Sequence, residues 1–135
     1  MNRYNVIMIA DPERTHLLMC RRMRDPFCGK YNMVGGHVEA GENEDDAAYR
    51  ELFEESGITR DDVTLTRVMD LVYHYEDLAI EVYAGRLRHP VEVHGDENPL
   101  EWLSIDENYF DAERFAGNGN IGHILIETLL SGALD

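Results

Sequence analysis

GHVEAGENEDDAAYRELFEESGI, residues 36–58, is the stretch around which the rest of the chain is read. It runs from a glycine through a series of carboxylates to Leu52 and Phe53 set among acids, and closes on Gly57. On a helix advancing roughly 100° per residue, Glu51, Glu54 and Glu55 fall within about 100° of one another. Tyr49, Leu52 and Phe53 cluster on roughly the opposite face, so the pattern predicts an apolar side docked on a core. Like charges three and four residues apart cost roughly 0.2–0.5 kcal/mol per pair. Structure alone therefore gives no reason for this crowding. Hard divalent cations take oxygen ligands of this kind, and a bound cation turns the repulsion into a site.

Outward from this helix the pattern is mixed. Asn43 is a good N-cap, Asp45 and Asp46 suit the positive end of the helix dipole, and Gly57 is the natural stop. Before it, residues 4–10 and 16–22 are strand-like runs separated by the turn-prone Asp11-Pro12. In residues 31–38, Gly35-Gly36 lets the backbone approach a ligand closely or adopt positive φ. After the helix, residues 63–75 and 78–87 alternate like two strands of a hairpin around Glu76-Asp77, and residues 102–105 form one more short strand. A last helix over residues 121–130 is expected to be capped by Asn118 or Asn120 and stopped by Gly132. Strands flanking one mid-chain helix, with a second helix closing the chain, predict a mixed α/β sheet covered on both faces.

The 135 residues fit one domain, 1–135. The formal charge is −15, from 27 acids against 12 Lys and Arg. That balance argues against a nucleic-acid or anionic-membrane partner, since both need basic patches. A polyphosphate substrate is compatible with it only where metal ions screen the acids. No apolar run approaches the ~20 residues that span a bilayer, and residues 1–10 lack a signal-peptide pattern. Two cysteines, Cys20 and Cys28, define no disulfide framework or metal pairing. Cys20 reads as a buried reduced thiol. The expectation is a cytoplasmic protein.

Gly36, Glu42, Arg50-Glu51-Leu52, Glu54-Glu55 and Gly57-Ile58, at their spacing, are similar at every defined position to the Nudix box. With residue types at roughly one in twenty each, a chance match to the seven fixed positions is on the order of one in a billion per starting point. The resemblance implies a Nudix α/β/α sandwich, a mixed sheet between helices, that hydrolyses a nucleoside diphosphate linked to a further group with Mg²⁺ or Mn²⁺. Glu51, Glu54 and Glu55 look like the metal ligands, joined by the backbone carbonyl of Gly35. Glu42 matches a box glutamate that lies near the metals, and Arg50 an orienting salt-bridge partner.

Outside the box the resemblance is to MutT-like members. It implies a general base in the loop before the last strand, where Pro99 and Trp102 align Asp96 or Glu97 with that position. Arg22 matches a phosphate-contacting arginine at the end of the second strand. His37 stands where MutT-like proteins often have lysine on phosphate. Tyr31-Asn32 looks like an aromatic-Asn pair of purine-triphosphate members, whose amide suits the edge of an oxidised base. Phe115, Asn118 and Asn120 sit where family members place further base contacts. The chain departs from the Pro-Gly-Gly that often precedes the box, carrying Val34-Gly35-Gly36.

The leading expectation is a nucleoside triphosphate diphosphatase that converts an oxidised purine nucleotide such as 8-oxo-dGTP to monophosphate and pyrophosphate. A rival is a dinucleoside polyphosphate hydrolase, a subgroup that often carries a tyrosine downstream of the box. Tyr75 is the candidate, although Tyr73 and Tyr75 also fit a packed strand. A nucleotide-sugar hydrolase of the ADP-ribose type is disfavoured, because the proline that marks that subgroup is absent here between Ile58 and His89. A binding module that has lost catalysis fits poorly with intact box acids. Nudix proteins are monomers or dimers, and the partner expected here is a small nucleotide.

Overall fold

A computed structural model describes residues 1–135 as six strands and two helices. The strands are β1 (Asn2–Ala10), β2 (His16–Arg21), β3 (Tyr31–Asn32), β4 (Thr66–Tyr73), β5 (Leu78–Arg86) and β6 (Leu100–Ser104). The helices are α1 (Glu44–Ser56) and α2 (Asn120–Ser131). No helix is long and apolar enough to cross a membrane. The sheet runs β3-β2-β1-β5-β4, with β6 on the other edge of β2. β1 and β5 pair in parallel from Asn2↔Leu78 to Ala10↔Arg86, while the other ladders are antiparallel. The predicted mixed sheet is therefore observed, as is the β4–β5 hairpin, which turns through Asp77 in the left-handed region.

Alternation along β1 divides the core. Ile7 and Ile9 face the α1 side with Leu18, Leu52 and Ile58. Met8 and Ala10 face the α2 side with Leu17, Phe115 and Ile121. Period-two alternation on a central strand sends successive side chains to opposite faces. Both faces are covered, giving three layers.

The sheet opens where the box begins. β1 and β2 pair only at Ala10↔Leu17 and then diverge. Residues 31–37 fill the gap, pairing first with β2 at Cys20↔Asn32 and then with β1 at Ile7↔Val34 and Tyr4↔His37. Gly35 and Gly36 lie in this crossing. At Gly35 (φ 152°) a Cβ would overlap the Asn5 carbonyl. The glycine thus permits backbone-to-backbone approach onto β1. At Gly36 a Cβ would collide with the Glu51 carboxylate.

Helix α1 starts as its sequence dictates. The Asn43 side chain accepts from the Asp45 and Asp46 N–H groups at 3.0 and 3.1 Å, and Gly57 (φ 81°) ends the helix with its N–H on the Phe53 carbonyl. Its buried face differs from the expected one. Ala47, Ala48, Leu52 and Ser56 are buried, whereas Phe53 is 57% exposed. The two alanines let the helix approach the sheet closely, and the stripe they define with Leu52 is centred near Glu55. On the wheel Glu55 lies within roughly 20° of Ala48. The carboxylates therefore border the docked face instead of opposing it. Helix α2 also departs from expectation at its start. Gly119 (φ 95°) is the N-cap position and no side chain caps it, so neither Asn118 nor Asn120 plays that role; Gly132 ends it as expected.

This packing predicts unequal costs for two neighbours. Leu52→Ala should lower unfolding stability by ~2–5 kcal/mol, while Phe53→Ala should change it by less than about 0.5 kcal/mol. Urea denaturation of both variants checks this.

Candidate active site

A cavity of about 180 Å³ lies between α1, Cys20 of β2 and the loop that leads into β6. Glu51, Glu54 and Glu55 from the helix and Asp96 and Glu97 from the loop before β6 line it together. All five acids expected at the reaction centre are thus brought to one place. Across Cys20, Glu55 and Asn98 the cavity continues into a cleft lined by Arg22, Asn32, Gly35 and Gly36.

Arg50 organises the near side. Its Nε and Nη2 grip Glu42 at 2.7 and 3.0 Å, Nη1 reaches Glu51 at 2.9 Å and Glu54 at 3.2 Å, and Nη2 donates to the His37 carbonyl at 3.2 Å. The hydrogen bonds from Arg50 hold the Glu42 carboxyl below its usual range. Glu51 is shifted the other way, because burial outweighs its contact with Arg50. Glu55 is pushed up to about 7, mainly by burial, against the pull of the Gly35 N–H that donates to it at 3.1 Å. The charges of Glu51, Glu97 and Asp96 add to that rise. Glu55, Asp96 and Glu97 have no basic side chain within 4.0 Å.

This donor set fits a hard divalent cation. Five carboxylates share one cavity, three of them without a counter-charge, and the Gly35 carbonyl accepts no hydrogen bond from the protein. The side chains do not already converge as a finished cage, since Arg50 draws Glu51 and Glu54 toward itself. Oxygen ligands that cannot all be neutralised by the protein are what Mg²⁺ and Mn²⁺ take.

The remaining candidates divide. Arg22 lies in the cleft, with Nε donating to the Pro26 carbonyl at 2.7 Å. Asn32 lies there too, its Oδ1 accepting from the Met33 N–H at 2.8 Å. Asn32 is a register partner of Cys20 and so shares its face of the sheet. His37 is not brought in: its ring packs edge-on against Tyr4 at 5.1 Å and it lines neither space. Phe115 cannot contact a base, being 1% exposed and packed at 4.8 Å on Tyr109. Asn120 donates to the Tyr73 hydroxyl at 2.8 Å, and Asn118 adopts the left-handed region; neither lines the cleft. The reason is register. Residues 114–116 pair with Tyr31 rather than Asn32, which commits them to the α2 side. Tyr75, for which strand packing was one reading, is fully exposed at the hairpin.

Asn5, Cys20 and Asn98 were not singled out for the site from sequence, yet all three line it. Cys20 is buried and reduced as expected, its thiol pushed up to about 11 by burial. Nothing in the residue types marks these positions; only the splaying of β1 from β2 brings them together.

Comparison with known proteins agrees with this architecture. Residues 1–122 match the NUDIX domain model, and the chain belongs to the Nudix family. It is a Nudix hydrolase by fold and by relatives. An oxidized purine nucleoside triphosphate hydrolase of Mus musculus is 28% identical over 108 residues, which is 77% of this chain and 67% of that protein. A solved MutT structure, of Aliivibrio salmonicida or Vibrio cholerae, superposes with a TM-score of 0.72 at 21% identity, covering 96% of this chain and 98% of that one. A C. elegans Ap4A hydrolase superposes at 0.73 with 23% identity, covering 96% and 98%. The structural likenesses carry the shared fold.

The shifted carboxyl makes a prediction about stability. A carboxyl whose folded pKa is raised binds its proton more tightly when folded, so its stabilising effect is present below about pH 4.5 and is lost as pH rises toward about 7. Without metal, Glu55→Gln should therefore raise Tm at pH 8 by on the order of 5 °C and leave it nearly unchanged at pH 4.5. Thermal melts in chelator at the two pH values measure this.

Proposed function

We propose that this Nudix hydrolase cleaves a phosphoric anhydride of a purine nucleoside triphosphate, with an oxidised purine such as 8-oxo-dGTP as the favoured substrate. The products are the nucleoside monophosphate and pyrophosphate. The observation that carries the reading is the single cavity lined by five carboxylates, three of them lacking a counter-charge, beside a cleft that offers Arg22 and Asn32. The name of the mouse relative supports the substrate class.

Glu51, Glu54, Glu55 and the Gly35 carbonyl would hold Mg²⁺ or Mn²⁺. When bound, the cation neutralises the polyphosphate and activates the phosphorus toward attack. The chain supplies position and proton handling. Glu97, or Asp96 beside it, takes the proton of the attacking water. The new P–O bond forms as the bridging P–O bond breaks, and the electron pair leaves on the bridging oxygen with the departing phosphate group. Arg50 keeps Glu51 and Glu54 at the cavity wall through its ion pairs. Arg22 meets a phosphate, and the Asn32 amide reads the base edge, with its donors free because only Oδ1 is engaged. In phosphoryl transfer such positioning and electrostatics provide most of the rate.

A second reading, hydrolysis of a dinucleoside polyphosphate, draws on the fully exposed Tyr75, which no packing occupies. One panel separates the two. Purified protein with Mg²⁺ should release pyrophosphate from 8-oxo-dGTP faster than from dGTP or a dinucleoside tetraphosphate. Glu54→Gln should reduce kcat by at least ~100-fold. Protein that binds a panel nucleotide tightly yet hydrolyses none is not an enzyme of this class. Asn32→Ala should compress the 8-oxo-dGTP to dGTP preference by roughly tenfold or more; an unchanged ratio removes Asn32 from recognition.

A further inference from the structure

Two buried side-chain atoms have no hydrogen-bond partner in the protein: Asn5 Nδ2 and Glu81 Oε1. Both residues are 2% exposed. They are register partners on the parallel strands β1 and β5, so their side chains leave the same face of the sheet. One orphan is a donor and the other an acceptor. Each has its other end engaged. Glu81 Oε2 accepts from Arg3 Nε and Nη2 at 2.9 and 2.6 Å, with Arg67 at 3.8 Å. Asn5 Oδ1 accepts from the Gly36 N–H at 3.0 Å. That bond fixes the amide orientation, since the flipped amide would set Nδ2 against another donor.

Asn5 holds Gly36 twice, because its own backbone N–H donates to the Gly36 carbonyl at 2.8 Å. The Cα of Gly36 in turn abuts the Glu51 carboxylate so closely that no Cβ fits between them. A line of neighbours therefore runs from Glu81, beside Asn5 in the β1–β5 register, through Asn5 and Gly36 to Glu51. A buried donor or acceptor left unmatched gives up its hydration with nothing in return, so two complementary orphans on adjacent positions favour each other as partners.

We propose that Asn5 and Glu81 act as a donor–acceptor couple behind the glycine crossing, and that Asn5 is thereby a positioning residue for Glu51. This rests on the reading of Glu51 as a metal ligand. Arg3 and Arg67 anchor the carboxylate, the carboxylate orients the amide, and the amide sets the Gly36 peptide against which Glu51 is held. Partners one step removed from metal ligands typically change metal affinity by 10–100-fold.

A charge-conserving exchange tests the couple. In Asn5→Asp two buried carboxylates face each other. In Glu81→Gln two amide donors do, unless Asn5 turns and releases Gly36. Combining Asn5→Asp with Glu81→Gln moves the carboxylate to β1 and the amide to β5. The β1 carboxylate then accepts from both the Gly36 N–H and the β5 amide, restoring complementarity with the net charge unchanged. Exchange of the Gly36 amide proton is followed by NMR in metal-free protein, and the Mn²⁺ concentration for half-maximal hydrolysis is measured alongside. Each single variant should speed Gly36 exchange and raise the Mn²⁺ requirement by ~10-fold or more, and the double variant should return both to within about threefold of wild type. Should Asn5→Asp not fold, comparing Glu81→Gln with the double variant decides the same question. Effects that simply add in the double variant, or Gly36 exchange unmoved by Glu81→Gln, overturn the couple. A wild-type protein with no hydrolytic activity defeats the proposed reaction, while the exchange measurement still decides whether Asn5 and Glu81 are coupled.

Discussion

Glu55 sits on the side of α1 that docks against the sheet, with the Gly35 N–H donating to its carboxylate. Most of the site follows from that one burial. A carboxylate placed there is expensive to ionise, and the charges of Glu51, Glu97 and Asp96 make it more so. The protein offsets only part of this. Arg50 takes up Glu42, Glu51 and Glu54, and leaves Glu55, Asp96 and Glu97 without a counter-ion. An acidic chain with an uncompensated acidic cavity can accept a polyphosphate only together with cations, which gives the proposed metal dependence a physical basis.

The fold makes this arrangement possible by letting the sheet split. β1 and β2 separate after one residue pair, and residues 31–37 cross the gap with two glycines where backbone and carboxylate press closest. Ala47 and Ala48 bring the helix down on the same gap. The loop before β6 then delivers Asp96 and Glu97 from the far edge, because β6 pairs with β2 rather than with the hairpin.

Much of this was legible in residues 36–58. The helix bounds, the Asn43 cap, the Gly57 stop and the three clustered glutamates follow from local rules, and box spacing led to the family. The error lay in orientation. Tyr49, Leu52 and Phe53 look like the apolar side, yet small alanines chose the docking face and left Phe53 in solvent. A helical wheel weighs hydrophobicity, whereas close packing here depends on the absence of bulk. The same limit explains Phe115, Asn118 and Asn120. Their distance along the chain from the box is right for base contacts, but the pairing of residues 114–116 with Tyr31 sends them to the other layer. Asn5, Cys20 and Asn98 carried no local signal, since only long-range register brings them to the cleft.

The uncompensated acids of the cavity make it the proposed cation site. Titrating Mn²⁺ into metal-free protein at pH 8, with free Mn²⁺ followed by electron paramagnetic resonance, tests it most directly. Binding should saturate below millimolar Mn²⁺ and weaken ~10–100-fold in Glu55→Gln. Wild-type protein that leaves millimolar Mn²⁺ free in solution, or a Glu55→Gln variant that binds as well as wild type, would contradict it.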